Sequence, residues 1–377
     1  MRDYSLTLRT CALRTALWAM WAVTVCAQTV YLRPAPRVDL PAVIDGNSAA
    51  FWAGGRLNLF HSTGVPSISR GPNQFSLGFT EPVEFDSSDH KPVWFEAAWE
   101  DEDGTLFLWY HHEPGGVCRG NSLTAPKVGA AISRDGGKTV QDLGIVLESG
   151  DAVDCGAQNG FFAGGHGDAS VILDREKKYF YFFFTNYGGQ VEEQGVSVAR
   201  MAFEDRYQPA GAVHKYYGED WLEPGIGGHV KPIFPAARAW QHSDADSFWG
   251  PSIHWNTHLE QFVVLLNRSC CKPGWPQEGI YVSFNSDLSQ PEAWRPVQRI
   301  LAKSEIAWSP GYYPQVLGLE DGQTDNYAGQ VARLYVHGRS VWEIVFEGKA
   351  VDPEPEPKPE PDSCLNAENS CNIRPRP

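Results

Sequence analysis

The sequence has few charged residues, and basic residues are the rarer of the two signs. Only 20% of its 377 residues are charged, and 31 Lys and Arg stand against 46 Asp and Glu, for a formal net charge of −15. A nucleic-acid binder needs a basic face, so this balance argues against a nucleic-acid partner. Few charges combined with 12% aromatic residues also exclude intrinsic disorder for most of the chain.

Long apolar runs and cofactor-binding motifs are scarce as well. The main apolar run, residues 15–27, is too short to span a membrane, so no membrane span is predicted. The sequence contains no CxxC pair, P-loop, HExxH or GxSxG, and no GxGxxG before a helix. We therefore expect no metal site and no cofactor, while a structural cation inside the fold stays open without a specific ligand set.

The N-terminus has the features of an export signal. Arg9 and Arg14 precede the apolar run, and residues 25–27 (VCA) fit a cleavage site before Gln28. We expect residues 1–27 to be a signal peptide and the protein to be exported, either secreted or periplasmic. A lipoprotein cut at Cys26 is the weaker alternative.

Cysteine usage agrees with export, because an even number of cysteines remains after the predicted leader. An even count in an oxidising compartment predicts disulfides. Six cysteines allow 15 pairings, and the sequence does not choose among them. The pair Cys364–Cys371 is the first candidate, because the two are close in the C-terminal tail, and Cys118–Cys155 is the second. The remaining two are Cys270 and Cys271.

The C-terminal segment has a composition that does not form a core. Residues 352–361 read DPEPEPKPEP, and alternating proline and charge gives an extended, solvated chain. We predict that residues 348–377 are a linker and a small tail outside the fold.

The segment 39–347 shows a repeated β pattern and no convincing amphipathic helix. Short β-branched and aromatic runs alternate with Gly, Asp and Asn turns. Five stretches share one layout: a small or polar start, a strand, a polar turn and an apolar strand. They begin at Asp45, Trp94, Gly167, Trp249 and Tyr313. Four-stranded units of this size predict an all-β, five-bladed β-propeller, with a pair of β-sandwiches as the alternative.

The first strand of a propeller blade lines the central channel, so its start lies at one mouth of that channel. Functional side chains should therefore be distant in sequence and close in space. The five candidates at the unit starts are Asp45, Glu96, Asp168, Trp249 and Tyr313.

This layout resembles the five-bladed propeller glycosidases, namely the arabinanase and β-xylosidase family and the invertase and levansucrase family. In that group an Asp on blade one is the base or nucleophile, and an Asp on blade three tunes the site. The resemblance assigns these roles to Asp45 and Asp168. A Glu on blade four, commonly in Glu-Gly-Pro, is the general acid, but this chain reads Trp249-Gly250-Pro251 there.

Another carboxyl group must then supply the proton. A general acid needs a raised pKa, which burial beside aromatic side chains provides. Glu96 is the first candidate, because it opens blade two between aromatic residues. Asp244 and Asp246 come next, and Glu113 is the third choice.

Aromatic and histidine side chains are the candidates for binding the expected carbohydrate. Trp52, Trp249 and Tyr313 could stack on sugar faces, and His166 and His254 could position hydroxyl groups. Glycosidic hydrolysis of a neutral oligo- or polysaccharide is the leading hypothesis. A noncatalytic carbohydrate-binding propeller is the alternative from another class.

Residues 133–140 (SRDGGKTV) resemble the Asp-box of sialidase-like propellers, with Val140 in place of the usual Trp. That motif folds a hairpin turn at the outside of a blade and marks no active site. A sialidase-like hydrolase is therefore a further alternative, but it requires an arginine cluster to clamp a carboxylate. Arg70, Arg119 and Arg268 are the candidates, without a clear triad.

Overall fold

Five sheets of four to six strands follow one another along the chain, which confirms the predicted five-bladed β-propeller. The computed structural model describes residues 29–61, 63–274 and 276–348. The predicted signal peptide, the tail from residue 349 onward and the expected Cys364–Cys371 pair lie outside the described residues.

The strands of the first three blades have the following bounds. Blade one consists of β2 (Ala50–Ala53), β3 (Arg56–His61), β4 (Ser67–Gly71) and β5 (Glu81–Pro82). Blade two consists of β6 (Glu84–Phe85), β7 (Val93–Glu100), β8 (Leu106–His112), β9 (Lys127–Ser133) and β10 (Thr139–Leu147). Blade three consists of β11 (His166–Leu173), β12 (Tyr179–Asn186), β13 (Gly195–Ala202), β14 (Val213–Tyr217), β15 (Asp220–Pro224) and β16 (Pro232–Pro235).

Blades four and five complete the ring. Blade four consists of β17 (Ser247–Asn256), β18 (Gln261–Ser269), β19 (Gln277–Asn285), β20 (Gln298–Ala302) and the short β22 (Tyr327–Ala328). Blade five consists of β21 (Pro314–Gly318), β23 (Val331–Val336), β24 (Arg339–Glu347) and β1 (Thr29–Asp39). The helices of the described part are short 3-10 turns at Val191–Glu193, Phe203–Tyr207, Pro291–Ala293 and Lys303–Ile306. None of them is long and apolar enough to cross a membrane.

The first strand in sequence closes the last blade. Strand β1 pairs antiparallel with β24, from Thr29 opposite Glu347 to Asp39 opposite Arg339. The folded unit therefore begins ahead of residue 39, where the sequence pattern had placed its start. Prolines are tolerated in β1 because it is an edge strand that needs hydrogen bonds on one side only.

Blade-to-blade packing follows from strands whose two faces are both buried. Successive side chains of a strand point to opposite faces, so β12 packs against the blades on both of its sides. Phe180, Phe182 and Phe184 pack in one cluster with Trp109 of blade two. The alternate side chains of β12 pack in another cluster with Ile253 of blade four. Burial of each such aromatic ring stabilises the fold by about 1.5–3 kcal/mol.

The Asp-box segment folds a hairpin turn, as the sequence predicts. The Asp135 carboxylate accepts hydrogen bonds from the backbone N–H of Lys138 at 3.0 Å and from the Thr139 hydroxyl at 2.7 Å. These donors lower the pKa of Asp135, although partial burial opposes them. The turn joins β9 to β10 and leaves Asp135 with a structural role.

Two disulfides lie in the described part of the chain. The predicted Cys118–Cys155 bond is present and ties the segment after β8 to the segment before β11. A second bond joins the adjacent Cys270 and Cys271 in the β18–β19 loop, a pairing that the sequence analysis did not single out.

Candidate active site

The starts of the five inner strands meet at one end of the propeller. Glu96, Asp168 and Trp249 lie near the beginnings of β7, β11 and β17, whereas Asp45 and Tyr313 precede β2 and β21. Strand β7 contacts β2 and β11, and β17 contacts β11 and β21. Residues spread over more than 260 positions of sequence therefore share one location.

Hydrogen bonds across the blades fix the relative positions of these strands. The Asn47 side-chain amide donates to the carbonyl of Ala169 at 3.2 Å and to that of Pro251 at 2.8 Å. The Ala169 N–H in turn donates to Oε2 of Glu96 at 2.7 Å. Blades one to four are thus joined directly below the site.

An aromatic-walled cavity of about 240 Å³ opens at this end. Its lining consists of Asp45, Glu113, Phe161, Phe162, Trp249, Gly274, Gln277, Tyr312 and Tyr313. Drug-sized ligands occupy roughly 300–1,000 Å³, so this volume suits a single sugar ring. Two carboxyl groups and no arginine or lysine are found among these lining residues.

Asp45 is exposed toward the cavity, yet its carboxyl group does not behave as a free surface acid. The surrounding protein removes part of its hydration and so raises its pKa, and the negative charge of Asp168 adds to the effect. His111 and the Trp94 indole act in the opposite direction. A raised pKa keeps a carboxylate basic enough to accept a proton near neutral pH.

Glu113 is the other carboxyl group that faces the cavity, and 29% of its side chain is exposed. It follows the last residue of β8, which places it at the mouth of blade two. Desolvation raises the pKa of Glu113, and the charges of Asp168 and Asp45 raise it further, whereas His111 lowers it. Such a group keeps its proton at a higher pH than an ordinary glutamic acid does.

A buried cluster lies next to the two cavity carboxyls and is centred on His111. Its Nδ1 atom is 3.8 Å from Oε1 of Glu96 and 3.9 Å from Oδ1 of Asp168. Its Nε2 atom is 3.5 Å from Oε1 of Glu113. One imidazole ring therefore contacts three carboxylates that come from two different blades.

The charges of this cluster shift its pKa values in a consistent way. Burial raises the pKa of Glu96, and His111 opposes that shift. Burial alone would lower the pKa of His111, but the neighbouring carboxylates, with Glu96 first, raise it above its usual value. The ring therefore favours the charged imidazolium form, which partly neutralises the acidic groups around it.

The proton on Nε2 of His111 is present in both of its protonation states. The Asp168 N–H lies 3.3 Å from Nδ1, a geometry in which a neutral ring accepts at Nδ1 and carries its proton on Nε2. In the imidazolium form Nε2 is protonated as well. In either form the Nε2 side of the ring is the one that faces Glu113, at 3.5 Å from its Oε1 atom.

Asp168 is held from several sides. The Tyr187 hydroxyl donates a short hydrogen bond to its Oδ2 atom, and the Tyr187 ring stacks on Phe162 at 4.0 Å. The backbone of Asp168 has φ of +44°, a left-handed conformation that costs energy for a residue with a side chain. The surrounding contacts keep the carboxylate in one orientation in spite of that cost.

The same cluster could bring donor atoms to a cation. Glu96, His111 and Asp168 each offer one ligand atom, and these atoms lie within 4.8 Å of one another. Mixed oxygen and nitrogen donors of this kind suit a divalent metal. The His111 imidazolium supplies a positive charge at this position without one.

Trp249 occupies the blade-four position at which the resemblance expects an acid. It is 3% exposed, and its indole N–H donates to Oε1 of Gln277 at 3.1 Å. Its ring lies 5.7 Å from Tyr312 and 5.6 Å from Tyr313. Blade four thus contributes an aromatic wall and an amide to the cavity.

Three of the predicted sugar-binding residues do not line this cavity. Trp52 donates its indole N–H to the carbonyl of Gln323 at 2.7 Å and lines a separate pocket with Trp99 and Trp255. Trp52 lies in the second half of β2, whereas Asp45 precedes that strand.

The two histidines of that set are buried in the blades. The His166 ring packs at 4.7 Å from Phe184, and the His254 ring packs at 5.5 Å from Phe346. Burial lowers the pKa of both rings, so each stays neutral at ordinary pH.

The remaining acid candidates form ion pairs elsewhere. Asp244 pairs with Arg238, and Asp246 pairs with Arg268 at 2.8 Å. Sequence reasoning did not identify Tyr187, Tyr312 or Phe161 as parts of the site. For Phe161, the only signal in the sequence was the Gly-rich segment that surrounds it.

No protein-family model matches the chain, and no curated protein matches it. Solved structures of similar fold include the endo-arabinase from Bacteroides thetaiotaomicron, with 11% identity over 83% of this chain and 96% of that chain (TM-score 0.47). An alpha-L-arabinofuranosidase from Lactobacillus brevis shares 11% identity over 83% of this chain and 97% of that chain (TM-score 0.49). A putative exo-beta-1,3-galactanase from Bifidobacterium bifidum shares 12% identity over 82% of this chain and 92% of that chain (TM-score 0.44). The expected distant resemblance to arabinanase-type propellers is confirmed as a similarity of fold. At these values it carries no argument about activity.

Proposed function

We propose that this protein is a glycosidase that hydrolyses a glycosidic bond in a neutral carbohydrate. The observation that carries the proposal is the pair of carboxyl groups in one cavity. Asp45 and Glu113 both line it, both have a raised pKa, and aromatic side chains surround them. Glycoside hydrolysis requires two carboxyl groups that flank the scissile bond.

Glu113 is the better candidate for the general acid. Glu96 is 2% exposed, accepts a hydrogen bond from the Ala169 N–H and does not line the cavity. Glu113 reaches the cavity, and its raised pKa preserves the proton that the leaving oxygen needs. In this mechanism the proton of Glu113 moves to the glycosidic oxygen as the bond from that oxygen to the anomeric carbon breaks.

Asp45 has the complementary role of base. A water molecule adds to the anomeric carbon, and Asp45 accepts the proton that this water loses. Asp168 and His111 act through their charges, since that of Asp168 raises the pKa of both Asp45 and Glu113 and that of His111 lowers both. Glu96 acts through His111, whose pKa it raises. Their proposed function is to set the pKa values of the two cavity carboxyls.

The lining of the cavity favours a sugar without negative charge. A sialidase-like site would need arginines to clamp a carboxylate. Arg70 instead pairs with Glu81, and Arg268 pairs with Asp246. We therefore propose a neutral oligo- or polysaccharide substrate.

One observation favours noncatalytic carbohydrate binding as the second candidate. Trp249 replaces the expected blade-four acid, and its neighbours Tyr312 and Tyr313 form an aromatic wall that would bind a sugar ring without any chemistry. This candidate predicts binding without turnover.

Action outside the cytoplasm is also part of the proposal. The Cys118–Cys155 disulfide supports it, because such bonds persist in oxidising compartments.

The experiment is a turnover assay of the protein on aryl glycosides of arabinose, xylose and galactose and on the matching oligosaccharides. Asp45→Asn and Glu113→Gln are measured beside Glu102→Gln, an exposed carboxyl outside the cavity. We expect turnover by the parent and by the Glu102 variant, and its loss in the other two. Glycan binding without turnover by any form would favour the noncatalytic candidate. The absence of both binding and turnover would overturn the proposal.

A further inference from the structure

A second and larger cavity lies beside the first. Its volume is about 510 Å³, roughly twice that of the Asp45 cavity. Three chain segments line it: residues 39–44, residues 308–310 and residues 337–339. They connect β1 to β2, precede β21 and form the turn between β23 and β24.

The two cavities share a wall that is one residue thick. Ile44 lines the larger cavity, whereas the next residue, Asp45, lines the smaller one. In the same way, Pro310 lines the larger cavity and Tyr312 lines the smaller one. The His337 ring belongs to the larger cavity and packs at 5.2 Å from the ring of Tyr312. The two cavities therefore adjoin along this wall.

Trp308 provides an aromatic surface in the larger cavity. Its ring is 39% exposed and stacks on Trp342 at a centroid distance of 6.0 Å with an angle of 29°. The Arg339 guanidinium lies 5.1 Å from the centre of the Trp308 ring. Because its neighbours hold the indole in place, it loses little freedom when a ligand stacks on it.

Polar groups accompany this aromatic surface. Asp39 and Arg339 form an ion pair at 2.6 Å on the lining. The Nδ1 atom of His337 is buried without a hydrogen-bond partner. His337 also has φ of +50°, and such strained residues are concentrated at ligand sites. An aromatic platform with donors and acceptors beside it matches the alternating faces and hydroxyl groups of a sugar.

We propose that the larger cavity binds the sugar residues that adjoin the one held between Asp45 and Glu113, so that the substrate is a glycan chain. This inference rests on the proposed function, since it assigns neighbouring units of the same substrate. Trp308 is the specificity-determining residue of this second site.

The test compares Trp308→Ala with the parent on substrates of increasing length. Arabino-, xylo- and galacto-oligosaccharides from disaccharide to hexasaccharide are used beside the aryl monoglycosides. We expect kcat/KM for the longer chains to fall about tenfold, while that for the monoglycosides is unchanged. Phe79→Ala, an almost fully exposed aromatic outside both cavities, should change neither.

Two further measurements separate folding defects and failure of the proposed chemistry from failure of this inference. Trp308→Phe keeps an aromatic ring and should restore most of the lost kcat/KM, which a folding defect would not allow. Titration of Asp45→Asn with the same oligosaccharides, followed by calorimetry, measures binding without turnover, and adding Trp308→Ala should weaken it about tenfold for the longer chains.

Equal loss on monoglycosides and hexasaccharides, or no loss on either, would overturn the second site while leaving the glycosidase proposal standing. An absence of turnover with length-dependent binding that needs Trp308 would uphold the second site and overturn the chemistry.

Discussion

Blades two and four both contribute side chains around the Asp45 cavity, but of these two blades only blade two places charged side chains in the cavity and in the cluster behind it. Blade two supplies Glu96, His111 and Glu113. Blade four supplies Trp249 and Gln277, which are joined by a neutral hydrogen bond. Blade two thus carries titratable groups at this end of the fold, whereas blade four carries an aromatic ring and an amide.

The difference teaches that position in space, rather than blade number, decides which carboxyl group can act. All inner strands begin at the same mouth, so an acid from any blade can reach a sugar bound there. In the proposed mechanism the acid is Glu113 of blade two, and the neighbouring His111, whose pKa the surrounding carboxylates raise, lowers the pKa of Glu113.

The largest expected effect comes from removing the blade-two acid. Glu113→Gln keeps the size of the side chain and removes its proton, so kcat on an unactivated oligosaccharide should fall about 10²–10⁴-fold. Gln277→Ala, the comparable change on blade four, should leave kcat within a few-fold of the parent. Equal losses in the two variants would end the distinction between the blades.

The disulfides sharpen the same comparison at the level of stability. Cys118–Cys155 closes a loop with a sequence separation of 37 after Glu113, whereas Cys270–Cys271 joins neighbours in the corresponding blade-four loop. Loop-closure entropy predicts that the double change Cys118→Ser and Cys155→Ser lowers the free energy of unfolding by about 2–4 kcal/mol. Changing Cys270 and Cys271 to Ser should lower the free energy of unfolding much less. Urea titration of both variants measures the two losses. The reverse order would show that the blade-four loop depends more on its disulfide.

The pH dependence of activity tests the His111 charge. Removing a nearby cation raises the pKa of Asp45, which is ionised in the proposed mechanism, and of Glu113, which is protonated in it. His111→Gln should therefore move both the acidic and the alkaline limb of the kcat/KM profile to higher pH. His112→Gln is the control, because that ring bonds to the carbonyl of Pro92. A profile that stays in place or moves to lower pH would contradict the proposed electrostatics.

The smallest effect is expected on blade four itself. Trp249→Phe keeps an aromatic ring but loses the hydrogen bond to Gln277, which should lower the free energy of unfolding by about 0.5–1.5 kcal/mol. The value of kcat should change little, because the indole carries no proton that the reaction needs. A loss of kcat as large as that of Glu113→Gln would place Trp249 in the chemistry.

The fold was predictable because local patterns repeat in it. Alternating apolar strands and Gly-rich turns define five units, and the unit starts were correctly placed at one mouth. Strand β1 was missed because its prolines weaken a local strand pattern, and its partner β24 lies at the other end of the sequence. A pairing of that range has no local signal.

The ranking of the site residues needed the structure. Glu96 and Glu113 both stand next to aromatic or histidine residues in the sequence, but only the packing of β7 against β11 shows that Glu96 is covered, whereas 29% of the Glu113 side chain is exposed. Trp52 and His254 belong to inner strands as predicted for channel residues. Their positions further along β2 and β17 take them away from the cavity.

The most direct test of the central claim is the dependence of Glu113→Gln on the leaving group. Without its general acid, a glycosidase should retain turnover of an aryl glycoside whose phenol leaves without protonation, and should lose turnover of the same sugar linked to an alcohol. Glu96→Gln, measured in parallel, should affect the two substrates equally. If Glu96→Gln shows the leaving-group dependence and Glu113→Gln does not, Glu113 is not the acid and the account of the site is wrong.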